Sequence, residues 1–575
     1  MHMLTTTDPS TGITLETGLA PSDAERVAET VAAAQSAVSW LADHANRAAL
    51  LDAMAAAVEA DKDSLIAIAK SETGLGEPRL TVENGRCALQ FRLFAEAVRE
   101  GSIFETMIDH AAQTPIGPGP DIRRTLVPLG PVAVFGSSNF PFAFSVIGGD
   151  VAAAIAAGCP VIAKAHSSHP LTSAASFDAL ESARRAVGAP EGTFGIVFGQ
   201  AAGTLLVQEP GVAAASFTGS LGAAEALIAA IGNREIPIPF YGELSSINPL
   251  VIAAGALESR ADEIAEGLAT SVTGSGGQLC TKPGIAFVPV GAAGDGFVAT
   301  LADRMGAAAP SVLLNRKIAT SFGEIRARLL EAGAAPLASG PEADGDGFTV
   351  PATVLQTTAA ELDADLAEEC FGPLVVVARY TDASEIDVAL RRIPASLTTT
   401  IHLDDADRAF YESIADAMTA TSGRVVFNGF PTGVRVSWAQ QHGGPWPATN
   451  TQHTSVGVTA VRRFMRPVAY QNAPEWALPA GLRAGDIGTP RRVTGALTTE
   501  ACAALSSSAR AAPTPRRAWS AGTCRRGVPA PGAATACERG RRRATRGCSL
   551  NRAPSRRPSL RATSRAPGQG RAEAG

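Results

Sequence analysis

The sequence predicts an α/β fold centred on a parallel sheet, and three observations carry that expectation. From residue 131 onward, short apolar runs alternate with helix-length segments rich in small residues. Several of those runs end in Gly, Ser, Asn or Lys, as strands ending at a ligand crevice do. Before residue 100, apolar residues recur at helical spacing. Alternation of this kind implies parallel strands with helices on both faces.

Taken in order, residues 24–60 and 78–99 predict Ala-rich amphipathic helices. Val132-Ala133-Val134-Phe135 is a strand, and Gly148 to Ala157 a small-residue helix. Val161-Ile162-Ala163 is the next strand, and Leu171 to Val187 the next helix. Thr193 to Phe198 and Ala213 to Phe217 add two strands, with a helix after Gly219. Ligands of parallel sheets lie outside the carboxyl ends of the strands. That directs attention to Ser137-Ser138-Asn139, Lys164-Ala165-His166 and Thr218-Gly219-Ser220.

Composition sets the outer limits. A chain of 575 residues holds two or more domains. Its residues are 46% apolar and 18% charged, with net charge −6, so no global field draws it to nucleic acid or anionic membrane. The polar opening residues lack a secretory pattern, and the apolar runs are too short to span a bilayer, so a cytoplasmic location is expected. Eight cysteines in a chain this long make no disulfide framework. Cys87, Cys159, Cys280 and Cys370 stand singly, without a C-x-x-C partner or neighbouring His cluster, so no metal site is expected.

Near residue 500 the chain changes character. Beyond Glu500 there is no Lys, Asp, Ile, Phe, Tyr, Met or His, and Arg, Ala, Pro, Ser and Gly dominate. Such a segment buries too little apolar surface to offset its ordering entropy, so disorder is expected over 500–575. Without Lys or spaced aromatics for base stacking, it reads as an appended segment rather than a polyanion-binding arm.

Three side chains invite chemistry. Cys280 lies in Gly276-Gly277-Gln278-Leu279-Cys280-Thr281-Lys282-Pro283-Gly284, a tight loop in which a thiol can be exposed and nucleophilic. Glu243 stands in Tyr241-Gly242-Glu243-Leu244, ahead of the run Leu250-Val251-Ile252. Asn139 follows a buried strand in Ser138-Asn139-Phe140-Pro141. Singly, each has an ordinary structural explanation: a buried Cys, a solvated carboxylate, a turn Asn.

In combination they are distinctive. The strand ending in Asn139-Phe140-Pro141, the strand ending at Lys164, Phe217-Thr218-Gly219-Ser220, Glu243 with Cys280, and Glu368-Glu369-Cys370-Phe371-Gly372-Pro373 occur in one order. Over residues 10–499 the chain thereby resembles the aldehyde dehydrogenase superfamily. The resemblance implies a Rossmann-type cofactor domain, an α/β catalytic domain and a small β oligomerisation element. It places the cofactor domain at 1–245, with about 107–128 lent to the oligomerisation element. The catalytic domain falls at 246–435, and 436–499 returns to the cofactor domain and an oligomerisation strand. It further implies Cys280 as nucleophile, Asn139 with the Cys280 backbone N–H as oxyanion hole, and Glu243 as the base that hydrolyses the thioester. Lys164 and Glu369 would hold ribose hydroxyls, Gly219 and Ser220 would meet the pyrophosphate, and Phe371 would pack near the nicotinamide. A homodimer or homotetramer is implied as well.

Several departures from the common pattern resemble one subgroup, the α-ketoglutarate semialdehyde (2,5-dioxovalerate) dehydrogenases. These include Gly136-Ser137-Ser138-Asn139-Phe140-Pro141, Lys164-Ala165-His166 and Phe427-Asn428-Gly429-Phe430-Pro431 through Gly443-Gly444-Pro445 to Tyr470-Gln471-Asn472. The alternatives are a fatty-aldehyde dehydrogenase and a catalytically silent scaffold of the same fold. Ser167 stands where NAD-preferring relatives often carry Glu, so NADP is the expected cofactor, with NAD also usable. The resemblance also points to Phe142 and Arg86 as substrate-binding. Arg86 and Gln90 are one helical turn apart, with Val82, Leu89 and Leu93 expected to pack. Arg86 would grip a distal carboxylate; the alternative is a surface pair with Glu83.

Overall fold

A computed structural model describes residues 3–342, 345–485 and 488–499 of the chain. The expected disorder of 500–575 therefore lies outside the described residues. Five parallel strands form the first sheet: β1 (Val132–Phe135), β2 (Val161–Lys164), β3 (Phe194–Val197), β4 (Ala214–Thr218) and β5 (Phe240–Glu243). Their spatial order is β5-β4-β1-β2-β3. The chain winds outward from β1 through β2 and β3, then returns to the other side of β1. That reversal opens a crevice at the carboxyl ends of β1 and β4, where the loops after Phe135 and Thr218 diverge.

A second sheet has seven strands: β6 (Leu250–Ile252), β7 (Ile285–Pro289), β8 (Ala335–Ser339), β9 (Thr353–Thr358), β10 (Leu374–Tyr380), β11 (Ser396–His402) and β12 (Ser422–Phe427). Its order is β8-β9-β10-β7-β6-β11-β12, parallel except for the β8–β9 pair. A third sheet places Met465–Gln471 beside Ile122–Pro128, then Met107–Asp109, Arg491–Val493 and Ala496–Thr498. The central strands of the first two sheets are buried on both faces, which accounts for runs such as Val132–Phe135 and Leu250–Ile252 reading as unbroken apolar segments.

The helices follow the expected pattern with two differences. The stretch 24–60 is two helices, Ala24–Ala37 and His44–Ala60, because Asp43 caps the second by accepting from the Ala45 N–H. The helix α1 (Glu77–Glu100) turns another face inward than expected: Val82 and Leu89 are exposed. Its packed stripe is Leu80, Cys87, Phe91, Phe94 and Val98, which meets the His44–Ala60 helix. Leu93 is partly buried against the same core. Among the described residues, no helix is long and apolar enough to cross a membrane.

Candidate active site

β5 ends on Glu243, and the segment 441–455 folds back over that end. The Gly242 N–H donates to the Asn450 side chain at 2.7 Å and the Leu244 N–H to the Ala448 carbonyl at 2.9 Å. These bonds bring His442 onto Glu243, with His442 Nε2 2.9 Å from Glu243 Oε1. The same nitrogen lies 3.5 Å from Cys280 Sγ. Ser455 Oγ donates to Glu243 Oε2 at 2.5 Å. Glu243 and His442 are buried, whereas Cys280 is only half-buried.

The loop carrying Cys280 is held from several sides. Ser275, Gly276 and Gly277 all have positive φ. A Cβ on Gly277 would lie 2.2 Å from the Gly372 carbonyl, so only glycine allows this loop to close on the segment after Glu369. Asn248 Nδ2 donates to the carbonyls of Cys280, at 2.9 Å, and Lys282, at 3.1 Å. The Lys282 ammonium donates to the carbonyls of Cys370 and Leu374. Asn139 Nδ2 meets the same loop, donating to the Gln278 carbonyl at 2.8 Å.

One face of α1 joins both loops. Arg79 donates from Nε to Ser275 Oγ at 2.8 Å and from Nη2 to the Asn139 carbonyl at 2.9 Å. It also pairs with Glu83, whose other oxygen accepts from the Phe142 and Ala143 N–H groups at 2.9 and 2.8 Å. Glu83 is thus committed to Arg79, and Arg86 has no ion-pair partner among the described residues. Instead the Arg86 guanidinium lies 5.2 Å from the Phe144 ring centroid and 6.0 Å from that of Phe140. Its Nε and Nη2, and Gln90 Nε2 one turn on, are buried without a hydrogen-bond partner among the described residues. Phe142 is fully enclosed in the core, so the aromatic rings beside Arg86 are its neighbours Phe140 and Phe144.

The remaining expected residues gather at the crevice. Lys164 ends β2, where burial lowers its ammonium pKa and no carboxylate among the described residues pairs with it. Ser167 is exposed in the turn that follows. Gly219 leads into Ser220, the N-cap of the helix Leu221–Gly232, whose first N–H groups no capping side chain meets. Such an uncapped helix end suits an anionic group. Leu221, Ser245, Ser246, Glu368 and Glu369 line a cleft of about 370 Å³. Glu369 Oε2 accepts from the Ser246 N–H at 3.1 Å, and burial pushes its carboxyl up to about 7. Phe371 is partly buried two residues further along.

Residues 2–456 match the aldehyde dehydrogenase family. The chain belongs to that family. Alpha-ketoglutaric semialdehyde dehydrogenase of Acinetobacter baylyi is 41% identical over 459 residues, 79% of this chain and 87% of that protein. Alpha-ketoglutaric semialdehyde dehydrogenase 2 of Azospirillum brasilense is 42% identical over 448 residues, 76% and 85% of the two chains. The crystal structure of lactaldehyde dehydrogenase from Escherichia coli shares the fold, with TM-score 0.72 at 21% identity over 82% of this chain and 96% of that one. NAD(P)-dependent oxidation of an aldehyde is therefore the reaction class of this dehydrogenase.

The dehydrogenase brings Cys280, Glu243 and Asn139 together, and adds a residue that sequence reasoning missed. His442 lies in Gln441-His442-Gly443-Gly444-Pro445, and only the packing of 441–455 on β5 puts it between the thiol and the carboxylate. The expectation of no metal-ligating set rested on chain spacing, whereas ligand atoms of Glu243, Cys280 and His442 lie within 4.8 Å of one another. Burial and the Glu243 charge push the Cys280 thiol well above its ordinary 9.0, while Arg86 acts in the opposite sense. For Glu243, burial favours the neutral acid, but its contacts with His442, Ser455 and Cys280 outweigh that and hold its pKa below the usual 4.5. At neutral pH the site thus pairs a protonated nucleophile with an ionised base.

Proposed function

We propose that this dehydrogenase oxidises a short aldehyde bearing a distal carboxylate, α-ketoglutarate semialdehyde foremost, to the acid through a thioester on Cys280. The observation that carries the chemistry is the contact sequence Cys280–His442–Glu243 beside the Asn139 amide. With its Nε2 proton directed at the carboxylate, His442 leaves Glu243 to accept the thiol proton as Sγ attacks the aldehyde carbon. The Nε2–H can then turn to the sulfur. Asn139 Nδ2, exchanging the Gln278 carbonyl for the substrate, and the Cys280 N–H stabilise the developing oxyanion. Glu243 releases its proton to solvent and then takes one from the water that cleaves the thioester.

The dinucleotide supplies the two-electron oxidant when bound. Lys164, Ser167, Gly219, Ser220, Glu369 and Phe371 would hold it, an assignment supported by a Lys164 ammonium with no carboxylate partner among the described residues and by the uncapped helix at Ser220. Ser167 leaves room for a 2′-phosphate without a repelling carboxylate, so NADP is favoured over NAD. The substrate class is supported by the A. baylyi and A. brasilense relatives and by Arg86. A guanidinium with Nε and Nη2 buried and no counter-charge among the described residues gains from a bidentate carboxylate. The crevice-bearing first sheet supports 1–245 as the cofactor unit. The second sheet supports 246–435 as the catalytic one. Met465–Gln471, the terminal strand of the third sheet with no neighbour on its outer edge among the described residues, supports assembly of two or four copies. The free thiols of Cys87, Cys159, Cys280 and Cys370 suit a reducing cytoplasm.

The testing experiment is a stopped-flow record of cofactor reduction. Cys280→Ala is expected to abolish it. Glu243→Ala is expected to give one fast turnover and then slow steady state as the thioester accumulates. Unimpaired steady-state turnover in either variant refutes the assignment.

A further inference from the structure

We infer that Cys280, His442 and Glu243 also form a site for a soft divalent cation such as Zn²⁺, whose binding reversibly blocks the nucleophile. Binding rests on these three side chains alone, whereas inhibition also rests on Cys280 as the reacting group.

Zinc takes thiolate at about 2.3 Å and imidazole nitrogen at about 2.0–2.1 Å, so tetrahedral geometry separates the two ligand atoms by about 3.5 Å. Cys280 Sγ and His442 Nε2 stand 3.5 Å apart. Tetrahedral nitrogen and carboxylate oxygen ligands lie about 3.3 Å apart. Nε2 and Glu243 Oε1 are at 2.9 Å, so the pair opens by only a few tenths of an ångström. All three ligand atoms fall within 4.8 Å of one another. The other carboxylate oxygen accepts from Ser455 Oγ at 2.5 Å, so the carboxylate already has an outer-shell partner.

The ligand chemistry selects the ion. One thiolate, one imidazole and one carboxylate suit Zn²⁺ or Co²⁺, while Mg²⁺ and Ca²⁺ require more oxygen ligands than the cluster supplies. Three protein ligands leave a fourth position for water on the open side of Cys280. Thiolate and carboxylate neutralise the ion's two charges, with Arg86 and Arg424 the cations that oppose it. Binding expels the thiol proton to solvent and shifts the imidazole proton from Nε2 to Nδ1. Nδ1 is buried and has no hydrogen-bond partner among the described residues, so that shift loses no hydrogen bond there.

Cobalt titration of the full-length enzyme, without aldehyde or dinucleotide, provides the test. One equivalent of Co²⁺ is expected to give a near-ultraviolet thiolate charge-transfer band with the visible bands of a tetrahedral ion. Equimolar Zn²⁺ should displace it and Mg²⁺ should not. Losing an outer-shell partner costs about 10–100-fold in metal affinity, and losing a ligand costs at least that. His442→Gln, Glu243→Gln and Cys280→Ser should therefore each weaken binding by at least about tenfold. The further cysteines Cys502, Cys524, Cys537 and Cys548 are present in every variant, so their contribution cancels in the difference. Unchanged circular dichroism certifies each variant as folded, and a misfolded variant is replaced by His442→Phe or Glu243→Ala. In the wild type, Zn²⁺ should stop turnover and slow Cys280 alkylation, and a chelator should restore both. Affinity unchanged in the His442 and Glu243 variants overturns the site in favour of capture by a lone thiol. Tight binding without loss of turnover would instead count against Cys280 as nucleophile.

Discussion

Replacing Arg79 with Met tests whether α1 aligns the oxyanion hole with the nucleophile. The substitution keeps the aliphatic stem over Phe140, whose ring centroid lies 4.5 Å from the guanidinium carbon. It removes the bonds to Ser275 Oγ and the Asn139 carbonyl and unpairs Glu83. Breaking a buried ion pair costs roughly 3–5 kcal/mol. Here Glu83 retains two backbone donors and the Arg79 side chain is 19% exposed, so a loss of about 2–3 kcal/mol is expected. Catalysis should suffer through Asn139, since removing an oxyanion donor outright costs about 10²–10³ in kcat. A donor left in place but loosened forfeits part of that, so Arg79→Met should lower kcat by about 10–100-fold. KM for the dinucleotide should hold, because Arg79 touches no residue at Lys164 or Ser220. The double variant with Asn139→Ala should be no slower than Asn139→Ala alone, a non-additivity that general destabilisation does not produce. Arg79→Lys, which keeps the charge but not the fork, should recover part of kcat. Multiplying losses in the double variant, or a dinucleotide KM that rises while kcat is untouched, would refute the alignment role.

Arg86→Met should lower kcat/KM for α-ketoglutarate semialdehyde by orders of magnitude while hexanal oxidation holds or rises; an equal effect on both aldehydes would favour a fatty-aldehyde enzyme. Ser167→Glu should raise KM for NADP far more than for NAD, and a wild type that ignores NADP would show the argument wrong. Glu369, lifted by burial from 4.5 to about 7, binds more protons folded than unfolded between those values. Its ionisation therefore opposes folding, a cost absent below about pH 4.5 and complete above about pH 7. A carboxylate that accepts ribose hydroxyls must be ionised, so dinucleotide KM should fall as pH rises through about 7, and Glu369→Gln should flatten that profile. A chain ending at Thr499 should keep activity and melting temperature, and a large loss of either would assign the tail a structural role.

What the sequence determined by itself was local or carried by motif. Val132–Phe135 is a strand at the expected bounds because an apolar run ended by Gly136 needs only its neighbours to be legible. Lys164 and Ser220 were findable because strand ends in a parallel sheet face the crevice whatever the loops do, and Glu243 because its motif stands in order ahead of the Cys280 loop. Cys280 was conspicuous because glycines with positive φ leave a local signature. Tertiary structure decided everything that depends on which distant segment closes over a strand end. His442 reaches Glu243 across 199 positions and Cys280 across 162, and no periodicity encodes that pairing. The face of α1 was misjudged for the same reason. Val82 and Leu89 repeat at helical spacing, yet the His44–Ala60 helix selected the neighbouring stripe through Cys87 and Phe91. That Phe142 and Phe144 are buried while Phe140 stays partly exposed is likewise a tertiary outcome, on a turn held by Glu83 accepting from the Phe142 and Ala143 N–H groups. Period and turn chemistry are written in consecutive residues; the partner of a buried polar atom is set only when the sheets and helices have packed.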